Sequence, residues 1–284
     1  MTWWCSALER PWDWTPRPYF GVWLLCAALG AGYWWAVRSH RDHSGQAIDS
    51  RKAWQFFAGV LGLWVASDWP VGALGGAYLS SVHMLQYMLY TLLAAPMLML
   101  GTPQWMAQAA LRSLRLDHAW HLLTRPLIAA IVTNVLLLAT HAPISVDLLR
   151  ATQLGSFVLD MLWLISGLVL WGPIISPIRH ERTSSPLVKI VYLFAAAALM
   201  PMIPGGFLAF ASNPLYSTYE LAPRVGLTAL ADQQLAGVLM KVGNVPVIWA
   251  VMGVIWFRWY ESDRASSAQR RRDRPATRIE AGSH

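Results

Sequence analysis

The feature that most constrains this chain is a series of seven apolar stretches, each long enough to cross a lipid bilayer as a helix of about 20 residues. They run roughly over residues 18–37, 53–74, 78–100, 126–142, 153–175, 187–212 and 233–259. Backbone polar groups inside lipid must bond within the chain, so only helices and closed barrels can span it. The apolar runs are continuous and do not alternate with a period of two. We therefore predict an all-α integral membrane protein with seven transmembrane helices.

The overall composition excludes an ordinary soluble domain. Apolar residues make up 56% of the 284 residues and charged residues only 13%, with 17 tryptophans, whereas soluble domains carry about 25% charged residues. The first twenty residues lack the basic start, apolar core and small-residue cleavage site of a signal peptide. In that segment Trp12, Trp14 and Tyr19 are expected to anchor the chain at the membrane interface.

The distribution of lysine and arginine predicts which side of the membrane each loop faces. Loops one, three and five and the C-terminal end hold 17 of these residues, whereas the N-terminal segment and the other loops hold 4. Because basic residues accumulate in cytoplasmic loops, we expect the N-terminus outside and the C-terminus in the cytoplasm. The net charge of +7 then needs no nucleic-acid partner. We predict a periplasmic segment 1–17, a membrane domain 18–260 and a basic, disordered cytoplasmic tail 261–284.

Polar residues within the predicted spans fall mostly in the outer half of the bilayer. Ionisable residues at such depth usually face the bundle interior and mark a functional site. We therefore expect a polar pocket that opens outward, with scattered polarity at helix ends as the alternative. The residues that would form it are Asp68, His83, Gln86, Tyr87, His141, Asp160, Asp232, Gln233, Gln234 and Lys241.

The stretch "SVHMLQYMLY", residues 81–90, contains side chains that could bind a metal in this pocket. His83, Gln86 and Tyr87 share one helix face, and Met84 pairs with Met88 at a spacing of four. Imidazole and thioether are suitable copper ligands. The alternatives are a histidine that only joins helices by a hydrogen bond and methionines that only fill the core.

Other residues of the pocket have simpler interpretations. Asp160 and Lys241 could form a buried ion pair, and Asp68, His83 and Asp160 could form a proton relay. Cys5 and Cys26 match neither a CxxC motif nor a zinc pattern. Cys26 is expected to pack as a small apolar group, with copper ligation by either thiol as the alternative.

Several motifs in this order resemble the CtaG-type family of cytochrome c oxidase assembly proteins, which are polytopic membrane proteins of bacteria. The most specific pieces are HMxQ from His83 followed by the AAP turn at 94–96, NPLY at 213–216 and DQQLAG at 232–237. The resemblance covers about residues 18–260. It implies a multi-pass protein of the bacterial inner (plasma) membrane, with oxidase subunits or other assembly factors and membrane lipids as partners.

The site residues implied by the resemblance are only partly present. His83, His141 and the Asp–Gln–Gln that begins at Asp232 are kept, whereas Tyr87 replaces a second histidine and Asp160–Met161 replaces a Glu–His pair. Copper remains the first candidate cofactor. Its ligands would then be His83 and His141, helped by Met84, Met200 and Met202, with the pocket oriented by its other polar residues.

From these observations we expect a non-enzymatic assembly factor for a haem–copper cytochrome c oxidase that handles copper at a periplasm-facing pocket within the membrane. The first alternative is a transporter or proton-conducting protein, favoured by Asp68, Asp160 and Lys241 but without the internal repeat common in transporters. The second is a structural scaffold subunit without metal. Haem held by His83 and His141 is a weaker alternative.

Overall fold

The structure, a computed structural model, describes residues 2–7, 10–45, 47–178 and 185–272. Over these ranges the regular elements are all helices, in agreement with the predicted all-α class. In chain order they are α1 (Phe20–Ser44), α2 (Ser50–Ser67), α3 (Val71–Ala77), α4 (Ser80–Gly101), α5 (Gln104–Ser113), α6 (Asp117–Leu123), α7 (Pro126–His141), α8 (Pro143–Arg150), α9 (Gln153–Ile175), α10 (Pro186–Ala209), α11 (Ser217–Glu220) and α12 (229–272).

Five of the described helices are long and apolar enough to cross a membrane alone, and seven spans result if each of two bent pairs counts as one. The bent pairs are α2 with α3, at 47°, and α6 with α7, at 91°. The structure therefore agrees with a multi-pass protein of five to seven spans. The exact number and the orientation of the termini stay predictions.

Helix α4 is the centre of the bundle. It packs against α2, α9 and α12, while α9 also packs against α7, and α10 against α12. Many large apolar side chains point away from this bundle; Leu127, Phe207 and Phe210, for example, are more than 70% exposed. An apolar exterior of this kind suits contact with lipid tails rather than water.

Three of the long helices contain a wide π-helical turn. The π segments are Leu89–Ala94 in α4, Phe194–Leu199 in α10 and Leu239–Gly243 in α12. Each is followed within three residues by a proline, namely Pro96, Pro201 and Pro246 respectively. A proline has no N–H and clashes with the carbonyl four residues earlier. A wider turn before the proline relieves that clash and lets the helix continue.

In two of these three turns, a carbonyl group that the proline leaves without a helical donor is bonded by a side chain of another helix. In α4 the Ala95 N–H bonds Tyr90 O, and Thr91 O accepts from Trp171 Nε1 of α9 at 2.8 Å. In α10 the Ala197 O accepts from Asn244 Nδ2 of α12. Such bonds are needed in lipid, where water cannot satisfy the carbonyl group.

The chain before α1 folds back onto the bundle. Trp4, Cys5 and Tyr19 are buried, whereas Trp14 is exposed. The backbone of this N-terminal segment (residues 2–19, of which 2–7 and 10–19 are described) bonds to the bundle through Gln153, Arg150 and Asp68. Trp12 and Trp14 remain candidates for interfacial anchors. Tyr19 instead belongs to the protein interior.

The last helix extends further than the predicted membrane domain. It continues to Arg272, so the first part of the segment expected to be a disordered tail is helical. Residues 273–284 lie outside the described residues. The division of the chain at residue 260 stays a prediction.

Candidate functional site

His83 lies in the first turn of α4 and is 4% exposed. Its Nδ1 atom lies 2.7 Å from the hydroxyl of Tyr219, in α11, and that hydroxyl also bonds Gly75 O at 2.6 Å. Gly75 makes this approach possible, since a β-carbon there would lie 2.1 Å from Gln86 Oε1 and 3.0 Å from His83 N. The glycine pair at 75–76 therefore serves close helix packing.

These two contacts favour one tautomer of His83, because they are much shorter than the 3.4 Å contact in which Arg150 Nε points to the same Nδ1 atom. Burial raises the pKa of Tyr219 above its ordinary value, so the phenol keeps its single proton. A carbonyl oxygen can only accept, so the Tyr219 proton goes to Gly75 O. The Tyr219 oxygen then accepts from His83 Nδ1–H, which leaves a lone pair on His83 Nε2.

His141 has the same arrangement at the end of α7. It is 7% exposed, and its Nδ1 atom lies 2.9 Å from Leu137 O, one turn earlier in the helix. Because the carbonyl accepts, the proton is on Nδ1 and the lone pair on Nε2. Its own carbonyl accepts from the hydroxyl of Tyr216 at 2.9 Å.

Both Nε2 atoms are buried and, among the described residues, neither has a hydrogen-bond partner. The two imidazole rings lie 5.7 Å apart between centroids and are nearly perpendicular. The indole of Trp163 packs against both rings, and the ring of Tyr87 packs against His141 at 4.8 Å. A buried acceptor without a donor costs about 1–3 kcal/mol, which makes this pair the chemically most distinctive feature of the interior.

An ion pair that was not predicted lies beside the histidines. Arg150 and Asp160 are both fully buried, and Arg150 Nη2 lies 3.0 Å from Asp160 Oδ1. Burial acts against the charge of Arg150, but Asp160 and, to a smaller extent, Tyr219, Cys5 and Tyr90 together outweigh it and keep the pKa of the guanidinium above its ordinary value. Trp4 Nε1 of the N-terminal segment donates to Asp160 Oδ2 at 2.8 Å. Arg150 also lies 3.4 Å from both His83 Nδ1 and Gln86 Oε1.

The expected pairing of Asp160 with Lys241 is wrong. The Lys241 ammonium lies over the ring of Phe210, 5.0 Å from its centroid, and Lys241 packs beside Gly205 of α10. The sequence signal for the true partner is weak, because Arg150 is the lone basic residue of a short loop that is predicted to lie outside. The structure places it at the end of α8, against α9.

The Asp–Gln–Gln motif at the start of the last helix holds other segments in place. The Asp232 carboxylate accepts from both backbone N–H groups and both hydroxyls of Ser80 and Ser81, and so caps α4 just before His83. Gln233 bonds the backbone of residues 213 and 215, and Gln234 bonds Ala211 O. These contacts position the helices around the site. None of the contacts described for Asp232, Gln233 or Gln234 involves the Nε2 atom of His83 or of His141.

The remaining predicted residues divide into buried and exposed groups. Asp68 accepts from Tyr19 N at 2.9 Å, and Gln86 donates to Ala66 O at 2.7 Å, so both join elements near the site. Met84 is 3% exposed and belongs to the core. Met200 and Met202 are 39% and 37% exposed, so the structure does not bring them to the histidine pair.

Of the metals that proteins bind, the histidine pair could hold only one of low coordination number. Metal-bound histidines usually donate their other ring N–H to a carbonyl or a similar acceptor, as both do here. Within the described ranges no group of three or more histidine, cysteine, aspartate or glutamate side chains could hold an ion. Two imidazoles alone suit monovalent copper and do not complete the four ligands of zinc or of divalent copper.

Comparison with known families identifies the group to which the chain belongs. The sequence model of the cytochrome c oxidase caa3 assembly factor family matches residues 31–262. The chain is a member of the caa3 assembly factor family. The match covers most of the chain and both histidines, so the resemblance inferred from the sequence motifs is confirmed. No curated protein and no solved structure matches the chain at the same standard.

In this member of the family, the matched region contains the Arg150–Asp160 pair and the Asp232 cap, whereas Trp4 and Cys5 precede it. Burial and, to a smaller extent, Asp160 raise the pKa of the Cys5 thiol to about 12, while Arg150 acts in the opposite direction. The thiol is therefore protonated at neutral pH. A protonated thiol is a poor metal ligand, which makes Cys5 a packing residue in this conformation.

Proposed function

We propose that the protein assists assembly of a haem–copper cytochrome c oxidase by holding monovalent copper between Nε2 of His83 and Nε2 of His141. Membership of the caa3 assembly factor family supports a cytochrome c oxidase as the complex whose assembly the protein assists. The observation that carries the copper assignment is the pair of buried lone pairs, each opposite an Nδ1–H bonded to the protein. The protein would deliver or store the ion without turnover chemistry.

The proposed location is the bacterial inner membrane, with the histidine pair near the outer surface. The basic residue count supports this orientation. The N-terminal segment covers the same end of the bundle, since Trp4 bonds Asp160 and Ala7 N bonds Arg150 O at 2.9 Å. Partners would be an oxidase subunit or another assembly factor that receives the ion at that end.

The transport and proton-conduction alternative has less support. Asp160 bonds Arg150 and Trp4, Asp68 bonds the backbone of Tyr19, and Lys241 contacts Phe210. Each of the ionisable groups that favoured this alternative thus has a structural partner. A scaffold without metal would explain those contacts. It would not explain why the Nε2 atoms of both histidines are buried without a hydrogen-bond partner among the described residues.

The test is copper binding by the purified protein, kept reduced and free of oxygen, with X-ray absorption to identify the ligand atoms. We expect nitrogen-coordinated copper in the unchanged protein and its loss in His83→Ala and in His141→Ala. His118→Ala is the matched control, because His118 is an exposed histidine of α6. Unchanged nitrogen coordination in both site variants would reject the proposal.

A cellular measurement tests the assembly part separately. Cells that carry His83→Ala in place of the natural chain should assemble less copper-loaded oxidase when copper is scarce, and His118→Ala should not change the amount. Normal oxidase assembly in the site variant, at the same protein level in the membrane, would argue for a role that needs no histidine-bound copper.

A further inference from the structure

A second feature of the interior lies further along α4 and α7 than the helix ends that carry His83 and His141. A cavity of about 20 Å³ lies between α4, α7, α9, α10 and α12. This volume suits one atom-sized guest, since one water needs about 10–15 Å³ on the same scale. The cavity is bordered by three methionines, Met84 and Met88 of α4 and Met240 of α12.

The polar lining of this cavity is uncharged and includes three side-chain oxygen atoms without a partner among the described residues. Thr133, Asn134 and Asn244 also border it. Their side-chain oxygens are buried, and the described part of the chain provides a hydrogen-bond partner for none of the three. Thr133 is 3% exposed and Asn244 7% exposed, so these atoms are deep in the interior. Since unsatisfied buried acceptors are costly, their gathering around one cavity indicates a guest that interacts with electron-pair donors.

All three π segments that the structure describes contribute to the wall of this cavity. Thr91 and Leu92 come from the first, Ala196 and Ala197 from the second, and Leu239 and Met240 from the third. Single wide turns of this kind are frequent at functional sites. Here they redirect three helices around one point in the bundle.

The donor set determines the class of guest. Thioethers are soft ligands that favour monovalent copper over zinc or divalent copper. No charged side chain borders the cavity, so a monovalent ion is easier to accommodate than a divalent one. Methionine side chains are flexible enough to turn their sulfur atoms toward an ion in a small space.

We propose that this cavity is a second copper site, which binds one monovalent copper ion through the sulfur atoms of Met84, Met88 and Met240. The site does not require copper on the histidines, so it goes beyond the function proposed above. Tyr87 borders the cavity and also packs against His141, so the two sites are neighbours. We refer to the three residues as the methionine site.

The experiment uses the double variant His83→Ala/His141→Ala, loaded with monovalent copper without oxygen. We expect this protein to retain about one copper per chain with sulfur neighbours in X-ray absorption, since thioethers alone suit the ion. Changing Met84, Met88 and Met240 to leucine in that background should remove it. Leucine keeps the volume of methionine, and such exchanges usually cost less than about 1.5 kcal/mol.

Matched controls separate ligation from general effects of methionine loss. Met200→Leu and Met202→Leu change exposed methionines of α10 and should leave sulfur coordination unchanged. Gly243→Ala gives an independent test without changing a ligand. Its β-carbon would lie 2.8 Å from Met88 Cε and 3.1 Å from Met88 Sδ, so it should displace Met88 and weaken binding.

The outcomes distinguish this proposal from the histidine site. Loss of sulfur-coordinated copper from the histidine double variant, or its persistence in the leucine triple variant, would overturn the methionine site. Loss of nitrogen coordination alone in the histidine variants would support both sites. Unchanged nitrogen coordination there would reject only the histidine proposal.

Discussion

At the scale of single residues, the candidate site depends on where individual protons lie. His83 and His141 are fixed in one tautomer by the Tyr219 oxygen and by Leu137 O. The phenol of Tyr219 is in turn fixed by Gly75 O. Each imidazole thus presents its Nε2 lone pair to the interior, with the ring orientation set by a second residue.

Loss of the Tyr219 hydroxyl should weaken copper binding without removing either imidazole. In Tyr219→Phe the Nδ1–H of His83 loses its acceptor, and we expect copper affinity roughly 10- to 100-fold lower at unchanged stoichiometry. Tyr216→Phe is the control, because its hydroxyl bonds the backbone of His141 and not a ring nitrogen. Competition with a chromophoric copper(I) chelator measures both. Equal affinities for Tyr219→Phe and the unchanged protein would contradict the tautomer assignment.

The buried ion pair gives a prediction on stability. Asp160→Asn leaves the Arg150 charge buried without its partner, which should cost about 3–5 kcal/mol. Asp13→Asn is the control, since Asp13 pairs with Arg17 at the surface, where such pairs contribute little. Chemical unfolding in detergent micelles compares the two. Similar stability for both variants would mean that Arg150 finds another partner.

At the scale of helices, most of the fold follows from apolar length. The predicted stretches 78–100 and 153–175 correspond to Ser80–Gly101 and Gln153–Ile175. The stretch 53–74 was predicted as one span, but it breaks after Ser67 and bends by 47°. Hydropathy cannot report such a break, because both sides of it are apolar.

The site was less predictable than the helices. The predicted spans place His83, His141 and Asp160 at one depth, and in the structure the two imidazole rings are neighbours while Arg150 contacts both His83 and Asp160. Arg150 was missed, because a lone arginine in a short loop usually remains in water. The π turns were missed as well, although a proline after each of them was a signal in the sequence.

The role of Trp171 in the first π turn can be tested at this scale. Trp171→Phe leaves Thr91 O without its donor and should cost about 1–3 kcal/mol. In a Pro96→Ala background the new backbone N–H can bond a carbonyl of this turn, so the same change should cost less. A double-mutant cycle in detergent measures this difference. Equal costs in both backgrounds would show that Trp171 acts through packing alone.

At the scale of the whole molecule, the N-terminal segment and the proposed histidine copper site lie at the same end of the helix bundle. Trp4 contacts Asp160, Tyr78 donates to Arg10 O, and Cys5 is fully buried beside Gly76. The segment therefore covers the ion pair and the histidines behind it. Which side of the membrane this end faces decides whether copper would be handled outside the cell or in the cytoplasm.

Labelling of Cys5 in intact cells tests whether the N-terminal segment covers the site and which side of the membrane this end of the bundle faces. Because the pKa of Cys5 is raised to about 12, its thiol stays protonated and unreactive at pH 8, and a membrane-impermeant maleimide should label it slowly. Trp4→Ala removes the bond to Asp160 and the bulk that covers the thiol, so labelling should become fast. Cys5→Ser/Trp4→Ala measures the background from Cys26.

Fast labelling of Trp4→Ala only after the membrane is permeabilised would place this end of the bundle in the cytoplasm. Fast labelling of the unchanged protein would show that the N-terminal segment does not cover the site.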